Sequence, residues 1–480
     1  MIKPSTIINS LEDDAGILNY RLSSGELVWP LVRHGVITSI LNHNNKLDIA
    51  HSSGAVNKVA LLKTLITSII KTPFRIKKGC VIFFNSGITN IKTESDGKYF
   101  NRVTDPFYFQ FKKGEARLIE STAFKVLRMP RVHNGVYPQF TLSLLAKLKR
   151  RSASLQPNEF ASLSDIVGYI ENKLAAGKIN FSKSDVKTIV TDNVLNYISG
   201  RQVYRSFVTS KKPKIIFLED ASYGNNAPIL LAAKDNNIKV IELQHGFVNK
   251  EHIAYNLGSG ISGVSEIARY FPDYYFAYGR FWSNSINIPS TRLSIGNPFL
   301  TQSVSKFESV GHKNDSERTI LFLSSGVTIK ETNDFLTVLA PISNVKGYRI
   351  VFRPHPSEVK SVVDRYKPAL DLGMAVSTNS ALYADIASAS IVIGELSTAL
   401  FEALAFSNKR CYLLWSTFTK SYLDNPMDMQ TIDNDTVGSI FEERGAQTNE
   451  AQGSYFWETN WETHFQEAMR AIIDWSSVSA

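Results

Sequence analysis

The sequence predicts an α/β protein made of two Rossmann-like domains, and three observations predict this fold class. At 480 residues the chain is long enough for two domains with separate cores. In its second half, the apolar runs Tyr348–Phe352 and Ser390–Ile393 are typical of buried parallel strands, and each ends in a polar turn that opens a helix. In its first half, Lys214–Leu218 and Lys239–Leu243 flank a helical segment and form a βαβ unit.

The composition is that of a globular protein, with 43% hydrophobic and 20% charged residues. The first residues lack the apolar core of a signal peptide, and no apolar run approaches the roughly 20 residues that span a bilayer. We therefore expect a cytoplasmic protein. Cys80 and Cys411 both lie in apolar, strand-like runs, so we expect buried reduced thiols rather than a disulfide or a metal site.

The net charge of +9 predicts a basic surface that attracts anionic partners. The densest basic run lies between Lys147 and Arg151, and further lysines follow at Lys211, Lys212 and Lys214. Zinc-finger spacing, an RNA-binding signature and aromatic–basic interleaving are all missing, so we expect no nucleic-acid partner. We interpret the basic run as a peripheral contact with the inner face of a membrane, the alternative being the solvated end of a helix.

The N-terminal residues 1–77 carry the weakest pattern. Trp29, Arg33 and His34 stand among apolar residues, and their segment is interpreted as an irregular lid over an acceptor site or as a short strand packed on the first domain. The strand is the default, because flanking apolar residues are usually buried. A helical pattern then covers Val56–Ile70.

The middle of the first domain alternates a strand, a loop and two long helices. Cys80–Phe84 is a buried strand, and the polar loop Asp96–Phe107 after it is a weak candidate for an acceptor site. The polar residues of interest in that loop are Asn101, Arg102 and Asp105. Asn158–Ala176 and Ser184–Val208 show the helical period and are predicted to face the core.

Polar loops follow both strands of the βαβ unit, at the same edge of the sheet. Further strands are predicted at Asp273–Ala277 and Leu293–Ile295, before the turn at Gly296–Pro298. The polar stretch Gln302–Ser316 is typical of a linker, so the first domain is predicted to cover residues 1–301 and the second residues 302–480.

The second domain is predicted to begin with the strand Thr319–Leu323 and a helix around Glu331–Leu339. The turn between them, Ser324-Ser325-Gly326, is neither a P-loop nor a dinucleotide fingerprint, because the required Gly-Lys-Ser/Thr and glycine spacing are missing. Two helices are predicted in the tail, around Thr436–Glu443 and Trp457–Trp475.

Two turns in the second domain are suited to a phosphate. The first is Arg-Pro-His-Pro at residues 353–356, and the second is Gly-Glu-Leu-Ser-Thr at residues 394–398, which opens a helix. Hydroxyls and free N–H groups at a helix N-terminus favour an anion, and a histidine adds a donor that titrates near neutral pH. Each turn alone is explained by ordinary helix capping, but the two together, one βα unit apart, favour a phosphate site.

These residues resemble the nucleotide-binding half of GT-B glycosyltransferases that build bacterial surface polysaccharides. The resemblance covers about Lys214–Leu414 and rests on the Arg-Pro-His-Pro motif and on the stretch GELSTALFEALAFSNKRCYLL at residues 394–414. It points to the sialyltransferase, polysialyltransferase and capsule Kdo-transferase groups, where a His-Pro motif and a Ser/Thr motif bind the phosphate of a CMP-sugar. Glycerophosphotransferases of teichoic acid synthesis have a similar layout.

The resemblance implies a GT-B fold, with two Rossmann-like domains facing each other across a cleft. The N-terminal domain would bind the acceptor, the C-terminal domain the nucleotide sugar, and the C-terminal helices would cross back. The implied activity is metal-independent transfer of a CMP-activated ulosonic acid, sialic-acid-like or Kdo, onto a capsule, O-antigen or lipooligosaccharide acceptor. The nucleotide sugar is then a substrate, no cofactor is expected, and the acceptor is an oligosaccharide or a lipid-linked glycan.

The implied roles fall on residues at the predicted strand ends. Residues assigned to nucleotide binding are His355, Pro356, Ser397, Thr398, Glu395, Glu402, Ser324, Ser325 and Gly326. Residues assigned to the other substrate groups are Gln244, Gly246, Arg353 and Asn225. Glu402 shares a helix face with Thr398 and is assigned to the ribose, the alternative being a solvent-facing surface carboxylate.

The catalytic base is predicted to be Asp220, with Glu219 second, because adjacent carboxylates at a strand end can differ in pKa. The pair resembles the acidic motif of the sialyltransferase group, except that Ala221 stands where that motif has glycine. His245 is the rival, since Gln-His-Gly at residues 244–246 resembles a turn of the Kdo-transferase and glycerophosphotransferase groups. Asp433 and Asp435 have the Asp-x-Asp form of metal-dependent transferases, but we interpret them as helix-capping residues.

Three other functions stay open on the sequence alone. A UDP- or GDP-sugar transferase fits the spacing of Glu395 and Glu402, which is close to a paired-glutamate motif of other GT-B families. A teichoic-type transferase would move glycerol or ribitol phosphate from CDP. A non-catalytic binding or scaffold protein would share the fold without the activity.

Overall fold

The computed structural model describes residues 1–45, 58–93, 96–121, 127–309, 318–377, 382–407, 409–423, 429–442 and 455–478. Contacts divide the chain into two compact units. The second unit consists mainly of Asn297–Thr459, and the first consists of most of the chain before it together with the segment from Asn460. The boundary predicted between residues 301 and 302 therefore falls inside the second unit.

The first unit is built on a parallel sheet of seven strands in the order β5-β4-β1-β6-β7-β8-β9. A short antiparallel hairpin, β2–β3, accompanies it. The strands are β1 Val81–Asn85, β2 Asn90–Lys92, β3 Tyr99–Asn101, β4 Ala116–Glu120, β5 Val136–Pro138, β6 Ile216–Leu218, β7 Val240–Leu243, β8 Tyr274–Ala277 and β9 Thr291–Ser294.

The helices of the first unit cover this sheet. They are α1 Pro4–Leu11, α2 Trp29–Asn45, α3 Lys58–Ile70, α4 Asp105–Tyr108, α5 Phe140–Ser152, α6 Pro157–Ala176, α7 Lys183–Lys211, α8 Ala227–Asp235, α9 Ser259–Ser262 and α10 Arg280–Asn284. Short 3-10 turns lie at Ala15–Asn19, Pro73–Arg75, Ala221–Tyr223 and Ser265–Tyr270.

Alternation along the strands produces two separate cores in the first unit. Ile82 and Phe84 of β1 face a core that they share with Phe207 of α7, whereas Phe83 faces the opposite side. There the C-terminal helix Trp461–Ile472 packs on the sheet, with the ring of Phe465 4.9 Å from that of Phe107. Both faces of a parallel sheet are thus covered, as such sheets require.

The prediction for residues 29–34 is wrong. The segment is neither a lid nor a strand but the start of α2, where Pro30 occupies a position that helices tolerate. Trp29 and Arg33 are buried because both donate hydrogen bonds to the fully buried carboxylate of Glu12. That long-range partner is invisible in a local pattern.

The second unit is a parallel sheet of six strands in the order β12-β11-β10-β13-β14-β15. The strands are β10 Thr319–Leu323, β11 Arg349–Arg353, β12 Ala375–Val376, β13 Ile391–Gly394, β14 Arg410–Leu414 and β15 Gln430–Ile432. The α-helices are α11 Pro298–Ser309, α12 Ile329–Val345, α13 Val362–Arg365, α14 Lys367–Leu370, α15 Leu382–Ser388, α16 Thr398–Ala403 and α17 Thr417–Tyr422. A 3-10 turn covers Val437–Phe441 in this unit, and another covers Trp475–Ser477 after the C-terminal helix.

The two parallel sheets confirm the prediction of an α/β protein with two Rossmann-like domains. The prediction of a linker over Gln302–Ser316 is wrong for its first half, because α11 covers it and buries Leu300. Residues 310–316 of that prediction lie outside the described residues. Instead of the predicted helix around Thr436–Glu443, the described residues form only the 3-10 turn; residue 443 is not described.

Cys80 and Cys411 are buried free thiols, as predicted. None of the helices that the structure describes combines the length and apolar character needed to cross a bilayer.

Candidate active site

In the first unit, the strands β1, β6 and β7 lie side by side and run in one direction, so the loops after them meet at one edge of the sheet. Two of these loops carry the predicted base candidates. Glu219 and Asp220 follow β6, and His245 comes directly after Gln244 at the end of β7. The βαβ connection therefore brings together residues that are distant along the chain.

Asp220 and His245 form an ion pair, with 3.2 Å between Asp220 Oδ1 and His245 Nε2. The Asp220 side chain is 37% exposed and that of His245 is 21% exposed. His245 Nδ1 is buried, so Nε2 points at the carboxylate while the other ring nitrogen faces the protein. Of the two side chains, Asp220 is therefore the more accessible to solvent.

The backbone of Asp220 is left-handed, with φ 57°, a conformation that a non-glycine residue adopts at a cost of about 1 kcal/mol or more. The loop is held in this shape by Asn226, whose side-chain amide donates to the Glu219 carbonyl over 2.8 Å. Gly224 lies so close to α2 that an added Cβ would come within 2.9 Å of the Pro30 carbonyl oxygen. The loop is thus clamped between the sheet and α2.

His245 carries a positive charge more readily than an ordinary histidine. Burial alone lowers its pKa, but the negative charges of Asp220, Glu219 and Glu242 outweigh burial, and the net direction is upward. A protonated imidazole forms a charge-assisted hydrogen bond to the Asp220 side chain.

Glu219 is oriented away from solvent. It is only 8% exposed, and its Oε2 accepts the backbone N–H of Ser86, which follows β1. Burial raises its pKa, and the charge of Asp220 adds to this while His245 opposes it. Glu219 thus joins the loops after β1 and β6 rather than facing a substrate.

Glu242, on β7, is a fully buried carboxylate beneath this site. Ser222 Oγ donates to its Oε2 over 2.6 Å, and Tyr255 Oη donates to its Oε1 over 2.8 Å. Burial raises its pKa from 4.5 to about 7, and its hydrogen bonds and His245 only partly offset this. Because the pKa of Glu242 is raised in the folded protein, the free energy of unfolding depends on whether this carboxyl group is protonated.

Glu242→Gln is expected to become more stable relative to the natural protein as the pH rises. The pKa of Glu242 in the folded state, about 7, lies above the ordinary 4.5. The contribution of Glu242 to the free energy of unfolding is therefore complete below about pH 4.5 and is lost as the pH rises through 7. Glutamine keeps the shape without the charge, so the difference should grow by up to about 3 kcal/mol between acid and mildly alkaline pH. Urea unfolding across this pH range measures it.

The control is Glu266→Gln on the surface. The hydrogen bond from Arg21 lowers the pKa of Glu266, so the sign of any pH effect is opposite, and an exposed pair makes it small. A pH-independent difference between Glu242→Gln and the natural protein would contradict the buried-carboxylate explanation.

Three further side chains lie at this site: His34 belongs to the segment interpreted from the sequence as a lid or a strand, whereas Tyr223 and His252 have no signature in the sequence. The rings of His34 and Tyr223 lie 4.5 Å apart, and Tyr223 Oη lies 3.3 Å from Nε2 of His252. Burial lowers the pKa of His34 to about 4, with Arg33 adding to the effect, and burial lowers that of His252 to about 3, with His245 adding to the effect. Both are therefore neutral histidines beside the Asp220–His245 pair.

The residues predicted to contact other substrate groups in the first unit differ in availability. Gln244 is buried, and its amide is used twice, donating to the Gly246 carbonyl and accepting from the Tyr278 N–H, both over 2.8 Å. It therefore shapes the Gln-His-Gly turn. Asn225 is exposed, and an added Cβ on Gly246 would meet nothing within 4 Å.

The second unit has its own cluster at the ends of β10 and β11, centred on Glu358. This carboxylate is fully buried and was not predicted. Its Oε2 accepts Ser324 Oγ over 2.7 Å and the His355 N–H over 3.1 Å. Its Oε1 accepts Tyr366 Oη over 2.6 Å and Arg365 Nε over 3.2 Å. Glu358 thus holds the Ser324–Gly326 turn and the His355 loop together.

His355 presents one ring nitrogen outward. The backbone N–H of Ser357 donates to its Nδ1 over 3.3 Å, which places the proton of the neutral ring on Nε2. The residue is exposed. Partial desolvation lowers its pKa, with Glu358 opposing this, so the neutral form predominates at pH 7. Nε2–H is then a neutral hydrogen-bond donor.

Glu395 and Ser397 have internal partners. Glu395 is buried, and its two carboxylate oxygens accept the hydroxyls of Ser325 and Thr328. Burial raises its pKa. Ser397 is the N-cap of α16, its hydroxyl accepting the Ala399 N–H over 3.3 Å, and Thr398 is the first residue of that helix.

Two more predicted residues of the second unit are packed in the fold. Glu402 is only 4% exposed, so the alternative of a solvent-facing surface carboxylate is wrong: its helix turns this side inward. Arg353 pairs with Asp385, which also accepts the Ser377 hydroxyl. Pro356 is exposed beside His355.

The loop predicted as a weak acceptor candidate is a buried ion cluster. Asp105 is fully buried and pairs with Arg131 over 3.2 Å and with His133 Nε2 over 3.1 Å. Arg131 also pairs with Glu120 at the end of β4. Asn101 is buried too, its backbone N–H donating to Asp105, so these side chains stabilise the hairpin instead of facing solvent.

Asp433 stabilises a turn and does not cap an α-helix as interpreted from the sequence, because the segment after it forms only the 3-10 turn Val437–Phe441 with Thr436 at its N-cap. Its Oδ1 accepts the N–H groups of Asp435 and Thr436 over 3.1 and 3.0 Å. Within the described part of the chain, no three His, Cys, Asp or Glu side chains are grouped to hold a metal ion.

No protein-family model matches this chain, and neither does any curated protein. Among solved structures, it is similar to UDP-GlcNAc 2-epimerase from Neisseria meningitidis bound to UDP-GlcNAc, with a TM-score of 0.45 and 12% identity over 82% of this chain and 100% of the other. It is also similar to MurG of Acinetobacter baumannii, with a TM-score of 0.41 and 9% identity over 82% and 99% of the two chains. For the wall teichoic acid polymerase TagF the TM-score is 0.38, with 11% identity over 88% and 96%.

At TM-scores and identities this low, the likeness assigns neither a family nor a function to the chain. The resemblance to the sialyltransferase, polysialyltransferase and Kdo-transferase groups therefore stays a prediction, as do the roles of the individual residues.

Proposed function

We propose that the protein is a metal-independent glycosyltransferase that moves a CMP-activated ulosonic acid onto a hydroxyl of a bacterial surface glycan. The observation that carries the proposal is the Asp220–His245 pair. His245 Nδ1 is buried, and His245 Nε2 contacts the partly exposed carboxylate of Asp220. Such a carboxylate, at the carboxyl edge of a parallel sheet, is placed to accept a proton from a bound hydroxyl.

In the proposed reaction, Asp220 removes the proton of the acceptor hydroxyl as its oxygen attacks the anomeric carbon of the donor. The bond from that carbon to the phosphate oxygen breaks, and CMP leaves with both electrons of the bond. His245 stays protonated beside Asp220 and holds the carboxylate in place. The negative charge on the leaving phosphate needs preorganised donors, because their orientation is fixed before the reaction.

The nucleotide phosphate is assigned to the second unit in this proposal. His355 offers Nε2–H. In the turn at Ser324–Gly326, the N–H groups of Ser324 and Gly326 donate to the Arg353 carbonyl and to Ser324 Oγ, so the Ser325 N–H is the backbone donor that the turn offers to a ligand. Glu358 fixes both segments, so their relative positions do not depend on the ligand. The nucleotide sugar is a substrate and no resident cofactor takes part.

Glu395 bears on the choice of donor. A UDP- or GDP-sugar transferase with a paired-glutamate motif would use this carboxylate on the ligand, but both of its oxygens accept hydroxyls within the unit. The CMP-linked donor is therefore preferred. CDP-linked glycerol or ribitol phosphate remains the rival that a binding experiment separates.

Calorimetric titration with CMP, UDP and CDP tests the proposal. We expect CMP to bind most tightly and His355→Ala to weaken CMP binding by about tenfold, since a hydrogen bond to a charged group is worth roughly 1.5–3 kcal/mol. The matched control is His43→Ala, which removes an exposed histidine at the end of α2 in the first unit. It should leave the affinity unchanged.

Each alternative result has a definite meaning. Preference for UDP would replace the CMP donor by a UDP-sugar, and preference for CDP would favour a phosphotransferase of the teichoic type. Failure of all three nucleotides to bind would overturn the phosphate site and favour a non-catalytic protein on this fold.

A further inference from the structure

Helix α3, Lys58–Ile70, exposes an apolar face to solvent, whereas an ordinary surface helix exposes its polar face. Five of its seven large aliphatic side chains face solvent: the exposed fractions are 62% for Val59, 57% for Leu62, 49% for Ile66, 74% for Ile69 and 59% for Ile70. The other two, Leu61 and Leu65, are half-buried. The spacing of the exposed positions is that of one helical face. A face of this kind on a soluble globular surface signals an interaction site.

The side of α3 that faces the protein is polar. Thr64 and Ser68 are the residues buried there, at 3% and 1% exposure. Thr64 Oγ1 accepts the N–H of Leu127 over 2.9 Å, and Ser68 Oγ donates to the Thr64 carbonyl over 2.7 Å. The Thr64 hydroxyl thus joins the helix to Leu127, whereas the Ser68 bond lies within the helix, and Leu61 and Leu65 are half-buried.

Helix α5 extends the same surface. Thr141 Oγ1 contacts the Ser68 carbonyl over 3.4 Å, which places the start of α5 against α3. Leu144, Leu145 and Leu148 follow at three, four and seven positions beyond Thr141, so they share its face of the helix. They are 42%, 37% and 49% exposed. We call these residues, with the exposed face of α3, the α3–α5 face.

The charged residues of α3 and α5 are all basic, because neither helix contains an aspartate or glutamate. The neighbouring helix α7 contributes Asp192, which pairs with Arg150 of α5. Lys63 lies beside the apolar stripe of α3, and Lys147 and Arg151 lie on α5, all with exposed side chains. Aliphatic residues bordered by cations of the same helices are suited to a bilayer that carries anionic lipid, where apolar groups enter the headgroup boundary and cations meet phosphate.

We propose that the α3–α5 face is a membrane-docking surface that lies flat on an anionic bilayer. With 13 residues, α3 is about 20 Å long, too short to span the hydrocarbon core, so it lies in the plane of the interface. The basic run at Lys147–Arg151, interpreted from the sequence as a membrane contact, is then one border of this surface. The inference is independent of the reaction that the protein catalyses.

Vesicle sedimentation with the full chain tests the proposal. We expect binding to vesicles of equal parts phosphatidylcholine and phosphatidylglycerol, and little binding to phosphatidylcholine alone. Ile66→Asp with Ile69→Asp should weaken binding by at least about tenfold, because each side chain loses its transfer into an apolar phase. Lys147→Glu with Arg151→Glu should also weaken binding and reduce its dependence on salt.

The matched control is Val345→Asp with Val363→Asp, which places the same charges at apolar positions of the second unit that are 86% and 64% exposed. Binding by this variant should equal that of the natural protein. Equal binding by the Ile66/Ile69 variant, or no preference for anionic vesicles, would overturn the proposal. A third result would also overturn it: the natural protein forms a dimer and does not bind vesicles, and the Ile66/Ile69 variant is a monomer. The α3–α5 face would then join two copies of the chain.

Nucleotide titration of the same variants separates this inference from the proposed function. All substituted side chains are exposed, so nucleotide affinity should not change. A protein that binds vesicles but no nucleotide would keep the docking surface and lose the transferase proposal.

Discussion

Replacing Asp220 with asparagine is expected to lower the rate of glycosyl transfer by about 10³-fold, because a general base contributes roughly 10²–10⁴-fold. Asparagine cannot accept the proton of the acceptor hydroxyl at neutral pH, yet it tolerates the left-handed backbone that this position requires. The fold and the hydrogen bond to His245 Nε2 should therefore survive. The expected signature is a loss of kcat with nucleotide affinity unchanged, since the nucleotide is assigned to the second unit.

Two comparisons sharpen this prediction. Asp371→Asn removes an exposed carboxylate of the second unit that pairs with Lys367, and transfer by this variant should match that of the natural protein. His245→Gln should lower kcat less than Asp220→Asn and should change the pH profile, because it removes a titratable group that contacts Asp220. A larger loss on His245→Gln, with Asp220→Asn retaining activity within tenfold, would make His245 the base and refute the assignment.

The proximity of Asp220 and His245 follows from the sequence because parallel strands impose it. β6 and β7 were recognisable as apolar runs flanking a helix, and the carboxyl ends of neighbouring parallel strands meet at one edge. The sequence pattern does not show which way each side chain points. Glu219 and Asp220 are adjacent, yet one points into the protein and the other toward solvent, because Asp220 adopts a left-handed backbone.

Residues whose role depends on a distant partner escaped prediction. Glu12 accepts hydrogen bonds from Trp29 and Arg33 and so anchors the start of α2 in the first unit, and nothing near Trp29 in the sequence indicates this partner. Glu358 lies three residues after His355 in the turn that precedes α13, and its importance appears only when β10 and β11 pair. The same applies to α3, whose helical period was clear while the direction of its apolar face was not.

Glu358→Ala is expected to destabilise the second unit by about 3–5 kcal/mol, the range for removing one partner of a buried ion pair. The substitution leaves the Arg365 guanidinium, 12% exposed, without its carboxylate. It also removes the acceptor of the Ser324 and Tyr366 hydroxyls and of the His355 N–H. Because these groups lie on the loops after β10 and β11, both loops should loosen together.

If these loops loosen, we expect the protein to lose CMP affinity as well as stability. Ser324–Gly326 and His355 are the proposed phosphate donors, and donors that must be ordered on binding stabilise a ligand less than donors fixed beforehand. CMP affinity should therefore fall by more than the tenfold expected for His355→Ala. Glu358→Gln, which keeps an acceptor for the His355 N–H but loses the charge that pairs with Arg365, should lie between the natural protein and Glu358→Ala in both stability and affinity.

Urea unfolding and hydrogen exchange of the second unit measure the stability, and calorimetry measures the affinity. Glu442→Ala, which removes an exposed carboxylate of the same unit, is the control and should alter neither. If Glu358→Ala unfolded at the same urea concentration as the natural protein, the buried cluster would not be what holds the two loops. If stability fell while CMP affinity held, the loops would be structural and the phosphate would bind elsewhere, because a site that depends on Glu358 cannot keep its geometry without it.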